Sequence, residues 1–279
     1  MTSSIKLPNE AALELEKQKL GKRKTDAFVT EYNGQRGLYG ALARRTRDRC
    51  EELLHDISIK GLVSYRVKGA CSLKKKLDGM IDEDTEFLSW VVSGKPIQKH
   101  NEMGDLVGVR IGLYLPADIA TVDEIIRENF NVVHIFGTVP GGRRVTTERN
   151  LDVQQHNRGP WMAEGPYGLI HWQHYGYKSW QMVAEWKEES SDSLRRFEIQ
   201  IGTAVSQAWA EVQHNIIYKQ PEGFKSTLTM RRMIDAVNGL AITTEILLHE
   251  LDQTVRKEQE EMERAMEEME AINNWFAVD

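Results

Sequence analysis

Asp105 and Glu198 are the two residues around which chemistry can be built. The stretch GDLVGVRIGLYL sets Asp105 at the head of a strand, with Arg110 further along. In RRFEIQIGT, Phe197, Ile199 and Ile201 face one way, and Glu198, Gln200 and Gly202 face the other. Two carboxylates from neighbouring strands suit magnesium, which takes oxygen ligands together with substrate phosphates. Arg66, Lys68 and Lys76 are cations fit to hold those phosphates. Phosphoryl-type transfer asks for little beyond cations, a metal and positioning. On the next helix Glu211, His214 and Tyr218 recur at spacings of three and four. Glu211 and His214 either border the same cleft or form an ordinary helix-face pair bonded to loop backbone.

These residues need elements to hold them. Leu38, Ala41, Leu42, Cys50, Leu53, Leu54 and Ile57 give residues 8 to 60 a helical rhythm. LVSYRV, at 62 to 67, alternates as a strand. CSLKKKLDGMIDEDTEFLSWVVSG reads as one helix, broken by Gly94 and Pro96. DLVGVRIGLYLP is a strand ended by Pro116. DIATVDEIIRENF follows as a helix that Asp118 can cap, and NVVHIFGTV as a further strand. Strand, helix and strand in this order predict a mixed α/β sheet. Residues 140 to 175, rich in Gly, Trp and Tyr, read as a long functional loop. YKSWQMVAEW and RRFEIQIGT then form a hairpin pair across the polar turn KEESSDS. The helix after Thr203 carries an apolar stripe of Val205, Ala208, Trp209, Val212 and Ile216, with Trp209 a core residue. From Ser226 the chain is helical almost to its end. Its apolar residues, from Met230 to Val255, pack on the core or on a partner.

Composition narrows the choice of class. The 279 residues are 41% hydrophobic and 28% charged, which predicts a soluble globular protein with a sizeable core. No apolar run approaches the ~20 residues of a membrane span, and the N-terminus lacks the apolar core of a signal peptide. Two cysteines, Cys50 and Cys71, make no disulfide framework or zinc pattern, so a reducing, cytosolic setting is expected. A net charge of −6 argues against coating nucleic acid, whereas local basic runs point to a small polyanion such as a nucleotide. GYKS at 176 to 179 lacks the rest of a P-loop, and His55–Asp56 lacks the companions of a metal phosphohydrolase.

Taken in order, YRVKGACSLKKKL, GDLVGVRIGLYLP, YGYKSWQ and FEIQIGTAVSQAWAEVQHNIIYK resemble the synthetase domain of the RelA/SpoT family. The resemblance spans roughly residues 25 to 222. It leaves a helical or flexible segment at 1–24 and a helical extension at 223–279. It implies an α/β nucleotidyltransferase-like fold: a mixed sheet of about five strands flanked by helices, with long C-terminal helices that support homo-oligomers. It also implies transfer of pyrophosphate from ATP to the 3′ hydroxyl of a guanosine nucleotide, giving alarmones, with Mg2+ and without hydrolase activity. ATP contacts then fall on Arg66, Lys68, Ser72, Lys76 and Arg110, metal and catalytic roles on Asp105 and Glu198, and base stacking on Tyr177. Gln200, Glu211 and His214 match positions near the acceptor.

Four positions depart from the family pattern, three of them on the acceptor side. Gln173 stands where a Lys is expected, Tyr175 for an Asn, Gln181 for a His and Gly202 for an Arg. Each lost charge-assisted contact is worth about 1.5–3 kcal/mol, which Arg143, Arg144, Arg149 or Arg158 could restore. The acceptor therefore stays open between a guanosine nucleotide, an adenosine nucleotide and the 3′ end of tRNA. A non-catalytic nucleotide-binding or assembly module is the reading from another class.

Overall fold

A computed structural model describes residues 8–137, 163–165, 168–170, 180–187, 196–218, 224 and 226–276. Two helices open the chain, α1 (Pro8–Gly34) and α2 (Arg36–Asp56), followed by strand β1 (Gly61–Val67). Helices α3 (Ala70–Glu83) and α4 (Thr85–Val92) precede two 3-10 turns, Ile97–Lys99 and Asn101–Leu106. Then come β2 (Val107–Leu113), α5 (Asp118–Asn129), β3 (Phe130–Gly137) and the small pair β4 (Ala163–Gly165) and β5 (Gly168–Ile170). The hairpin pair is β6 (Trp180–Trp186) and β7 (Arg196–Thr203). Helix α6 (Ala204–Gln213), a π-helical turn (His214–Tyr218) and the 49-residue α7 (Leu228–Phe276) complete the order.

Five strands form one mixed sheet, as expected, and their order is β1-β2-β7-β6-β3. Only β2 and β7 run parallel; the other neighbours are antiparallel. One face is apolar. Val109, Ile111, Phe197, Ile199, Ile201, Met182 and Ala184 are all fully buried there, each apolar side chain worth about 1.5–3 kcal/mol on burial. Helices α2 and α5 cover that face. Trp186 donates from Nε1 to Thr46 Oγ1 of α2 at 3.1 Å, and Trp180 donates to Asp123 Oδ1 of α5. Strand β7 is buried on its other face too, beneath α6 and the turn Asn101–Leu106.

Two local readings change. The single helix expected across residues 71 to 94 is two helices. Asp84 Oδ1 accepts from the Glu86 and Phe87 amides at 2.9 Å each and starts α4 afresh. Asp118 does not cap α5: it lies inside the first turn, after Ala117, and its carboxylate faces Arg256 of α7 at 3.9 Å. The long C-terminal helices are one continuous helix. No helix among the described residues is long and apolar enough to cross a membrane.

Candidate active site

The face of the sheet opposite α2 and α5 carries the predicted chemistry in two cross-strand rows. Arg66, Gly108, Glu198 and Val183 make the first, and Ser64, Arg110, Gln200 and Gln181 the second. Side chains directly across a ladder share a face, so strand register alone brings Glu198, Arg66, Arg110 and Gln200 together. Gly108 keeps the first row open. A Cβ there would stand 3.2 Å from Arg66 Nε and 3.6 Å from Glu198 Oε2. Without it, the Arg66 guanidinium lies across the strand and reaches Glu198 Oε2 at 3.5 Å.

Glu198 is 4% exposed, and among the described residues its Oε2 accepts no hydrogen bond. Burial pushes its carboxyl above the ordinary carboxylate range. Arg66 opposes that push and Asp105 adds to it. An unbonded, buried carboxylate oxygen is costly in a structural role. It suits a base or a cation ligand.

Asp105 arrives from the turn Asn101–Leu106, just before β2. The turn packs closely on the sheet because residue 104 is glycine: a Cβ there would lie 2.3 Å from Val183 Cγ2. Lys68 Nζ donates to Asp105 Oδ2 at 2.5 Å and Lys76 Nζ to Oδ1 at 3.1 Å. Burial alone would raise the Asp105 pKa, but the Lys76 and Lys68 ammonium groups outweigh it and hold the carboxyl low. Lys76 also donates to the Glu102 carbonyl oxygen. Ser72, exposed, lies one turn before Lys76 on α3, whose extended Gly69 leaves the first amides uncapped by any side chain. Such a helix start favours phosphate.

Arg110 donates from Nε to Gln200 Oε1 at 3.0 Å and from Nη1 to Glu211 Oε2 at 2.7 Å. The sequence assigned Arg110 to ATP and Glu211 to the acceptor; the fold links the two groups directly. His214 follows at the head of the π-helical turn, half-buried. Gly202 pairs in register with Gly112. At Gly112 a Cβ would come 2.8 Å from Gln207 Oε1, and Gln207 Nε2 donates to the Ile111 carbonyl oxygen at 2.8 Å. The two glycines thus sit where α6 leaves the sheet. Trp209 is core, as expected: it is 5% exposed and donates to the Ile234 carbonyl oxygen of α7. Tyr177, Gln173 and Tyr175 lie outside the described residues, as do Arg143, Arg144, Arg149 and Arg158. Sequence reasoning passed over Gly104, Gly108 and Gln207. The glycines in GDLVG were the available signal.

The donor set fits magnesium in a limited way. Among the described residues no group of three or more His, Cys, Asp or Glu side chains is placed to hold a metal. Two carboxylates with phosphate and water can suffice for this ion, and Glu198 Oε2 accepts no hydrogen bond, with the Arg66 guanidinium 3.5 Å from it. Both Asp105 oxygens are held by lysines, Lys68 and Lys76.

Comparison with known proteins agrees with this geometry. A family profile described as "Region found in RelA / SpoT proteins" matches residues 65–223, more than half of the chain. No curated protein matches by sequence. Among solved structures, small alarmone synthetase 1 from Bacillus subtilis superimposes with a TM-score of 0.54 at 18% identity, covering 81% of this chain and 98% of its own. Structures of that protein bound to its product pppGpp and to AMPCPP each give 0.50, at 18% and 16% identity. They cover 80% and 81% of this chain and 98% of their own. A GTP pyrophosphokinase family protein from Streptococcus pneumoniae gives 0.51 at 16% identity, covering 84% and 95%. The chain has the fold of the small alarmone synthetases and belongs to the RelA/SpoT family.

Proposed function

We propose that the protein is a magnesium-dependent pyrophosphokinase that moves the β,γ-pyrophosphate of ATP to the 3′ hydroxyl of a guanosine nucleotide. The observation that carries this reading is the buried, unbonded Glu198 oxygen facing Arg66, beside the Lys68–Asp105–Lys76 triad. The acceptor hydroxyl gives its proton to Glu198. Its oxygen forms a bond to the β-phosphorus, the bond from that phosphorus to the α,β-bridging oxygen breaks, and AMP leaves. A carboxylate with a raised pKa is the better base for this proton. Arg66, Lys68 and Lys76 leave their carboxylate partners to hold donor phosphates, with Ser72 and the start of α3 beside them. Asp105 and Glu198 are the residues that would hold magnesium, whose charge would offset the negative charge building on the transferred group. Tyr177 stacks the acceptor base, with Gln200, Glu211 and His214 around it. The family relation and the relative bound to pppGpp support the guanosine version.

A second acceptor is favoured by one observation: at Gly202, paired in register with Gly112 on the site face, the resemblance implies an arginine. The same chemistry on an adenosine nucleotide or the tRNA 3′ end follows from such a loss. Labelled ATP incubated with GDP, GTP, GMP, ADP or tRNA separates these. Label on a free guanosine nucleotide supports the first reading, and label only on tRNA or ADP replaces it. No transfer to any of them, and a Glu198→Ala protein that binds nucleotide as before, would favour a non-catalytic module.

The division into 1–24, 25–222 and 223–279 belongs to the proposal, although α1 runs unbroken across the first boundary. So does a cytoplasmic location, supported by two unpaired cysteines, Cys50 and Cys71. A second copy of the chain is proposed as partner of α7. Met233, Val237, Leu240, Leu247 and Leu251 are exposed there at coiled-coil spacing. Arg231 and Arg232 near the start of the helix complement the glutamates from Glu258 to Glu270 in an antiparallel pair.

A further inference from the structure

Lys68 and Asp105 sit on segments 37 residues apart in sequence, and their pairing needs those segments held in register. Two bonds do this. The Lys68 amide donates to the Leu106 carbonyl oxygen at 3.0 Å, extending the ladder between β1 and β2 by one step. The second comes from a different element. Tyr32 of α1 donates from Oη to the Lys68 carbonyl oxygen at 2.7 Å, with the Leu106 carbonyl oxygen 3.4 Å away. Tyr32 is 1% exposed and wedged between Phe28 and Tyr39, at ring-centre distances of 6.4 and 4.6 Å. Burial pushes its phenol up to about 12, so it stays a donor across the working pH range.

We infer that Tyr32 is a positioning residue for donor-nucleotide binding: its hydroxyl fixes the backbone on which Lys68 meets Asp105. This rests on the donor reading of Lys68, Lys76 and Asp105 given above. Tyr32 lies outside the segment matched by the family profile, residues 65–223, and its hydroxyl brings α1 to the backbone of the site. The residues that hold nucleotide are on the sheet, on α3 and, for Lys68, on the link between them; the one that sets their spacing is on α1. Acceptor-side groups on β7 and α6 do not touch this tie, so its loss should divide donor binding from acceptor binding.

The test uses the full-length protein with Tyr32→Phe, which keeps the ring and removes only the hydroxyl. Thr25→Val is the control: Thr25 is on the same helix, fully buried, and donates only locally to the Lys22 carbonyl oxygen at 2.9 Å. Binding of a non-hydrolysable ATP analogue with Mg2+ is measured by calorimetry, acceptor nucleotide binding separately, and amide exchange over residues 66–70 without nucleotide. In Tyr32→Phe the analogue Kd should rise about tenfold and exchange at the Lys68 amide should quicken by a similar factor. Acceptor Kd should not move, and Thr25→Val should change neither quantity. Unchanged analogue affinity in Tyr32→Phe overturns the inference, whether or not exchange quickens. So does an equal loss of donor and acceptor affinity with a matching drop in Tm, which marks a general structural role. A wild-type protein that binds no analogue at all would instead overturn the donor reading on which the inference rests.

Discussion

Neutralising Glu198 separates the chemistry from the fold. Its carboxyl has a raised pKa because burial outweighs the help of Arg66. The folded chain therefore holds that proton more tightly than the unfolded chain, and the ionised group costs stability at neutral pH. Glu198→Gln should lower kcat by about 10²–10⁴-fold while raising stability near pH 7 by about 1 kcal/mol. The stability gain should fade as pH falls through the raised pKa, because the wild-type group is then neutral too; thermal melts across pH check this. Asp105 has the opposite sign. Its depressed pKa contributes stability above the ordinary aspartate range and loses it as pH falls through the lowered value. Arg66→Gln removes the strongest influence lowering the Glu198 pKa. The acid limb of kcat/KM should then move to higher pH, alongside a loss of donor affinity. An unmoved limb would mean that another group is the base.

At the scale of elements, the turn Asn101–Leu106 is the piece packed most closely at a glycine. Gly104→Ala places a methyl 2.3 Å from Val183 Cγ2, an overpacking worth about 1–3 kcal/mol. The displaced turn carries Asp105 with it. Val183→Ala in the same chain makes room, so the double variant should recover most of the donor affinity that Gly104→Ala loses. Additive losses would show that Gly104 matters for another reason. Asp84→Ala should cost about 1 kcal/mol by removing the α4 cap, without changing nucleotide affinity. The sequence made β1, β2, β6 and β7 legible because each alternates or runs apolar with few interruptions. It made Glu198 and Gln200 legible as a pair because period two is strict. It hid the split between α3 and α4, since Asp84 looks like any charged residue in a helical run until its carboxylate is seen accepting two amides. It also hid the Arg110–Glu211 link and Tyr32, because register between distant strands and the tilt of α1 are properties of packing that spacing does not encode.

At the scale of the whole molecule, the five-stranded sheet carries the candidate site and the 49-residue α7 packs against α6. The first half of α7 presents Ile234 and Ala241 to Trp209 of α6, so α7 is anchored beside Glu211. Its opposite side shows Leu240, Leu247 and Leu251 at 68%, 63% and 59% exposure. A paired α7 would bury that stripe, and Leu247→Glu with Leu251→Glu should then halve the mass measured by light scattering. An unchanged mass would remove α7 as the interface. Such coupling would also tie assembly to the acceptor side, through Trp209 and the helix that carries Glu211. The central claim concerns the reaction itself, and product analysis reaches it most directly. Purified protein, ATP, GTP or GDP and Mg2+ should yield AMP and a 3′-pyrophosphorylated guanosine nucleotide in equal amounts by mass spectrometry, and Glu198→Gln should yield neither above background. Orthophosphate release without AMP, or equal product from wild type and Glu198→Gln, would contradict the account.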